Sequence, residues 1–205
     1  TGLAPAFVRG AAVVALSVGG TLAVVGGLSG TLAPAALGAL GVVAVLGWQY
    51  SVGPLRLAWR GWGELDNAAL GGLVLPAYGA AVVGGPVGYT ALVCLPFALL
   101  VFANLLATGW PDRRADAAVG KRTLVTRLPA RRLRGLYVAV VVVAFASLPV
   151  LATGPLPTVV AGASLLVVPL SAWGAAGYTH RRVPFPSVAA MVALAAVQFA
   201  AWCLV

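Results

Sequence analysis

"TGWPDRRADAAVGKRTLVTRLPARRLR", Thr108–Arg134, holds the densest run of positive charge in a chain that is otherwise almost free of charge. The chain has 4 Asp and Glu residues in 205, and two of them, Asp112 and Asp116, stand here four apart. On either side the sequence turns apolar for about the 20 residues that a bilayer-crossing helix needs. A basic segment between two such runs reads as a junction at a membrane face.

The rest of the composition agrees. Hydrophobic residues make up 61% and charged residues 8%, and the mean hydropathy is +1.03. A water-soluble domain carries about 25% charged residues, so that class is excluded. Seven apolar segments can be read, at roughly residues 8–28, 31–50, 67–84, 87–108, 134–153, 156–177 and 185–205. Their length favours helix over strand, and in lipid a helix satisfies its own backbone. The expectation is an all-α, polytopic transmembrane bundle forming one domain over residues 1–205. Pro76, Pro96 and Pro169 fall inside segments and are expected to disturb their helices. The spacings Gly26–Gly30 and Gly84–Gly88 suit close helix packing. Cys94 and Cys203 lie in apolar runs and read as buried thiols. His180, beside Arg181 and Arg182, reads as solvated. The chain opens without an initiator Met or a signal-peptide pattern, and is expected to be incomplete at its N-terminus.

If each segment crosses the membrane, all 13 Lys and Arg residues fall on one side. The turns near residues 29–30, 85–86 and 154–155 carry no charge. This is the positive-inside pattern. It predicts a multi-pass protein of the inner (plasma) membrane with its charged loops in the cytoplasm. The acids share that side: Glu64 and Asp66 in the loop after the second segment, Asp112 and Asp116 in the loop after the fourth.

Asp112 and Asp116 at i and i+4 share one face if the fourth helix continues past Trp110; Pro111 equally permits a break and restart. Two carboxylates that close favour a cation between them. Hard Mg²⁺ takes oxygen ligands, commonly one or two carboxylates plus substrate phosphates. Lys121 and Arg122 suit phosphate, one as a point charge and the other as a fork. A plainer reading stands beside this one. Asp112 would cap a helix, Asp116 would pair with Arg113, Lys121 or Arg122, and the basic run would hold lipid headgroups. The other polar stretch, "YSVGPLRLAWRGWGELDN" from Tyr50 to Asn67, interleaves Trp59 and Trp62 with Arg56 and Arg60, as an interfacial segment does.

These two stretches resemble the UbiA superfamily of membrane prenyltransferases. Asp112-Arg-Arg-Ala-Asp116 followed by "VGKRTLVTRL" is similar to the family's second aspartate motif and its Gly-Lys-Arg-Thr-Leu run. "YSVGPLRLAWRGWGEL" is similar to the corresponding loop of the dihydroxynaphthoate, or menaquinone-branch, enzymes. The resemblance implies a nine-helix fold, of which the seven spans here would be helices 3–9. "TGLAP" at the start resembles the turn just after the family's first aspartate motif, so the fragment would begin beyond that motif and be inactive alone. It also implies Mg²⁺-dependent transfer of a polyprenyl group from polyprenyl diphosphate to an aromatic acceptor in quinone biosynthesis. Asp112 and Asp116 would hold the metal, and Lys121 and Arg122 would neutralise the leaving diphosphate. Tyr50, Arg56 and Arg60 would shape the substrate pocket. Thr108 stands where relatives often have Asp or Asn, and Pro111 where the menaquinone branch often has Arg. Hydroxybenzoate, a tocopherol or chlorophyll precursor and a glycerol-phosphate lipid stay open as acceptors.

Two other classes compete. A transporter would carry ionisable residues inside its spans, and here Gln49 and Gln198 are among the few polar exceptions. A non-catalytic scaffold would be expected to have lost Asp112 or Asp116. Nucleic acid is not expected, because the basic loop lies against the membrane.

Overall fold

The computed structural model describes residues 4–205 and is helical, with no strand among those residues. Thr1–Leu3, the start of the "TGLAP" turn, lie outside them. The helices are α1 (Pro5–Leu28), α2 (Pro34–Ser51), α3 (Leu57–Arg60), α4 (Gly63–Ala69), α5 (Leu75–Val82), α6 (Val87–Val93), α7 (Leu95–Ala118), α8 (Leu124–Arg127), α9 (Ala130–Ala152), α10 (Thr158–Ser164), α11 (Val168–Gly177) and α12 (Phe185–Trp202). A π-helical turn, Leu70–Val74, joins α4 to α5, and a 3₁₀ turn, Leu165–Val167, joins α10 to α11.

The seven apolar segments of the sequence survive as seven rods. Six helices are long and apolar enough to cross a membrane: Ala6–Leu28, Pro34–Ser51, Leu95–Ala118, Ala130–Ala152, Thr158–Gly177 and Phe185–Trp202. The remaining rod, α4 to α5, is interrupted by the π turn and opens on Glu64, Asp66 and Asn67. The chain is a multi-pass helical membrane protein.

The three expected prolines mark the irregularities. Pro76 follows the π turn, Pro96 follows a break at Cys94, and Pro169 follows the 3₁₀ turn. Each stands in the first turn of the piece that resumes, where its missing N–H leaves no hydrogen bond unmade.

The core lies among α7, α9, α11 and α12. Its centre is a polar-tipped aromatic stack. Tyr137 and Tyr178 have ring centroids 4.9 Å apart, and Trp110 meets Tyr178 edge-on at 6.1 Å. Tyr137 shares a 2.8 Å hydrogen bond with Ser187, and Tyr178 donates to the Leu106 carbonyl at 3.2 Å. Buried hydroxyls that are satisfied in this way fix helix register rather than destabilise it. α1 and α2 are exposed along most of their length, Phe7 and Val14 included.

Of the spaced glycines only Gly26 is closely approached, since a Cβ there would stand 2.7 Å from Leu32 Cδ1, while Gly88 has open space. Gly30 and Gly84 have φ of +74° and +75° and serve turns. The close helix approach is at Gly72, in the π turn, where a Cβ would stand 2.4 Å from Ala98 Cα on α7. Contact between two backbones leaves no room even for alanine. Cys94 is part-buried and Cys203 is exposed at the end of α12, so the reading of both thiols as buried fails. A terminal helical residue with apolar neighbours on one side only is left uncovered. His180 is exposed, as expected.

Charged and uncharged connections lie at opposite ends of the bundle. The α2–α4, α7–α9 and α11–α12 connections are tied together by Arg127 to the Arg60 carbonyl at 3.0 Å and Arg134 to the Thr179 hydroxyl at 2.7 Å. At the other end, Tyr89 donates to the Pro155 carbonyl, linking two of the uncharged turns.

Candidate active site

α7 runs unbroken through Pro111 to Ala118. Asp112 and Asp116 are therefore on its last turns: of the two alternatives open at Pro111, the helix continues and does not break. Arg113 helps hold this end: its guanidinium lies 3.6 Å from the Trp110 ring centroid and donates to the Trp110 carbonyl at 3.2 Å. Cation–π contact and hydrogen bond together pin the turn around Pro111.

Beyond Ala118 the chain reverses. Gly120 takes φ of +79°, the left-handed conformation that glycine adopts without steric cost. Its N–H reaches the Ala117 carbonyl at 3.1 Å, and the Lys121 N–H reaches the Asp116 carbonyl at 2.9 Å. This pair of bonds is the Schellman ending of a helix. Its effect is to fold Lys121 back over the acid that precedes it, with Nζ 3.3 Å from Asp116 Oδ2. Gly120→Val is expected to strain this turn by about 1–2 kcal/mol, and to swing Lys121 away from Asp116. Loss of protection from trypsin at Lys121 would report the change, and unaltered cleavage would contradict it.

The second polar stretch docks onto the first. Glu64, in the first turn of α4, accepts from the Leu124 N–H at 2.8 Å. Thr123 caps α8 by accepting from the Thr126 N–H at 3.2 Å. Glu64 and Asp66 thus belong to a helix, although the sequence places them in a loop; two acids in a first turn complement the helix dipole. Asp66 is buried with Oδ2 unpartnered, and burial pushes its carboxyl above the ordinary range.

Between the docked stretches lies a cavity of about 240 Å³. Tyr50 comes from α2, Glu64 and Asn67 from α4, Thr108, Asp112 and Asp116 from α7, and Lys121 and Thr123 from the following turn. Five residues singled out in the sequence, Tyr50, Thr108, Asp112, Asp116 and Lys121, thus share one cavity. Arg56, Arg60 and Arg122 are exposed and do not line it. Arg56 stands before α3 with φ of +45°, and the Arg122 carbonyl lies against Gly61.

Glu64 and Asn67 were not among the expected site residues. A faint signal existed, since Glu64 is one of only 4 acids in the chain.

Three carboxylates face one ammonium in this lining, within a chain of net charge +9. Asp112 makes no ion pair among the described residues; Asp116 pairs with Lys121 as the plainer reading allows. Glu64 is 8% exposed, and its Oε2 has no hydrogen-bond partner. An unpartnered buried carboxylate oxygen is costly until a cation or a donor reaches it. The Thr108 hydroxyl donates to the carbonyls of Asn104 at 3.0 Å and Leu105 at 3.2 Å. Its proton is committed, so towards the cavity it can only accept. All these donor atoms are oxygens, which fits a hard divalent cation. Among the described residues no three His, Cys, Asp or Glu side chains cluster closely enough to hold one ion. The fit is therefore to an ion that keeps water or substrate oxygens in its shell.

Fold and site define a multi-pass membrane protein with an acidic, oxygen-lined cavity beneath its charged connections. The UbiA prenyltransferase family profile matches residues 5–191, and the chain belongs to that family. Membership carries prenyltransferase activity with polyprenyl substrates. No curated protein and no solved structure matches the chain.

Proposed function

We propose that the cavity receives the diphosphate of a polyprenyl diphosphate, and that the protein transfers the prenyl group to an aromatic acceptor in quinone biosynthesis, of the menaquinone type. The observation that carries this reading is the convergence of Asp112, Asp116, Thr108, Tyr50 and Lys121 on one cavity.

Asp112 and Asp116 would hold Mg²⁺, which, when bound, supplies positive charge to the departing diphosphate. Lys121 adds a fixed ammonium at the same rim, and its value is greatest where charge develops. Thr108, whose hydroxyl can only accept towards the cavity, would take a hydrogen bond from water carried by the ion. Tyr50, part-buried against Gly63 and lining the cavity, would offer its ring to the allylic cation left when the C–O bond breaks. A carbon of the electron-rich acceptor ring then bonds to the allylic carbon, and the ring proton is lost to solvent. Arg122 and Arg56, exposed at the same end, attract the anionic substrate from a distance. The charged connections would face the cytoplasm, by the positive-inside rule.

The menaquinone-type acceptor is favoured by the resemblance of the "RGWGEL" stretch to the dihydroxynaphthoate enzymes, and Gly63 and Glu64 of that stretch line the cavity. A non-quinone acceptor is the alternative within the same chemistry.

The test is an assay of the intact protein, with any residues coded upstream of Thr1, using labelled prenyl diphosphate. Dihydroxynaphthoate, hydroxybenzoate and a glycerol-phosphate lipid would be offered in turn. Product is expected with dihydroxynaphthoate, lost on chelation of divalent cations and restored by Mg²⁺. Equal rates in chelator would overturn the metal reading; product with another acceptor alone would overturn the menaquinone assignment.

A further inference from the structure

A second cavity, of about 440 Å³, lies on the other side of the Gly61–Leu65 segment. It shares no lining residue with the first. Its charged rim is Arg60 and Arg127; its body is Trp62, Leu65, Phe102 and Leu124. Trp62 and Leu65 are 58% and 51% exposed.

The rim is built from both docked stretches. Arg127 Nη1 donates to the Arg60 carbonyl at 3.0 Å. Gly61, at φ of +85°, makes room, since a Cβ there would stand 2.5 Å from the same nitrogen. Arg127 is thus fixed by its bond to the Arg60 backbone, and Arg60 and Arg127 line one mouth with no carboxylate in the lining; neither makes an ion pair among the described residues. Two like charges lining one cavity favour an anion there. A free anion would leave the apolar body in water. The complementary ligand is an amphiphile with an anionic head and an apolar tail.

We propose that this cavity is a binding site for an anionic phospholipid, its phosphate between Arg60 and Arg127 and its acyl chains along Trp62, Leu65 and Phe102. Basic pockets at the membrane face bind such headgroups, and aromatic side chains settle at headgroup depth. The lipid would also brace the contact between the two stretches whose opposite side walls the first cavity. The site depends on the membrane fold alone, so it stands whether or not the proposed acceptor is correct.

Native mass spectrometry and thermal unfolding of the purified protein in nanodiscs test it. In phosphatidylcholine discs containing phosphatidylglycerol, one phosphatidylglycerol is expected to stay bound and the unfolding temperature to rise relative to phosphatidylcholine alone. Arg60→Gln leaves the carbonyl that Arg127 uses intact, and is expected to weaken retention about fivefold. Arg60→Gln with Arg127→Gln should abolish it. Arg131→Gln with Arg132→Gln, at exposed basic positions on α9, should not change it. Equal retention in Arg60→Gln and wild type would overturn the site. Inorganic phosphate reproducing the shift in pure phosphatidylcholine would overturn the lipid as the ligand.

Discussion

Asp112→Ala in the intact protein is expected to lower prenyl transfer by about 10²–10³-fold, the usual cost of losing one preset electrostatic contact to developing charge. Asp112 faces the cavity and makes no ion pair among the described residues, so no structural partner loses a contact. Expression and membrane insertion should match wild type. Asp112→Asn should fail nearly as badly, because an amide keeps the shape but not the charge. Asp116→Ala should lose activity too, but with a second effect, since it also frees Lys121. Raised Mg²⁺ should restore part of the Asp112→Asn rate and little of the Asp116→Ala rate. Full activity in Asp112→Ala would remove this acid from the metal site.

Glu64→Ala is the other change expected to act strongly. It leaves the Leu124 N–H without its acceptor, at a cost of about 1–3 kcal/mol. The segment from Lys121 to Leu128 should then loosen, and a misplacement of about 1 Å can cost about 100-fold in rate. Glu64→Gln separates the two roles of the side chain. Its carbonyl oxygen still accepts from Leu124, so docking should hold. The buried charge on Oε2 is gone, so stability without substrate should equal or exceed wild type. Transfer should nonetheless fall, because the cavity has lost one negative charge towards the proposed cation. Hydrogen exchange at the Leu124 amide reads the docking directly. Wild-type exchange in Glu64→Ala would show that the contact does not hold the segment.

Much of this was legible along the chain because lipid imposes simple rules on it. Apolar run length located the seven rods, and the prolines marked where three of them change geometry. Asp112 and Asp116 at i and i+4 were readable as a pair. Whether α7 survived Pro111 was not, since that depends on Arg113, Trp110 and Tyr178, and Tyr178 comes from the far end of the chain. Glu64 was missed for the same reason: its partner, Leu124, is remote in sequence and periodicity carries no record of it. Gly72 was hidden among many glycines, because a close approach is a property of two helices. The resemblance gives Arg60 a place at the substrate pocket; the turn at Gly61 puts it beside the second cavity and not the first, and periodicity carries no record of that turn.

Cross-ties gather at one end of the bundle, where Glu64, Arg127 and Arg134 stitch three connections together, while the far end has the Tyr89 contact with Pro155. The far end is closed by packing as well, through the buried cluster of Val93, Leu148, Leu151, Leu156, Val160 and Ala201. One end is thus riveted by directed polar bonds and the other glued by contacts without direction, so a change of side-chain shape is absorbed more readily at the glued end than at the riveted one.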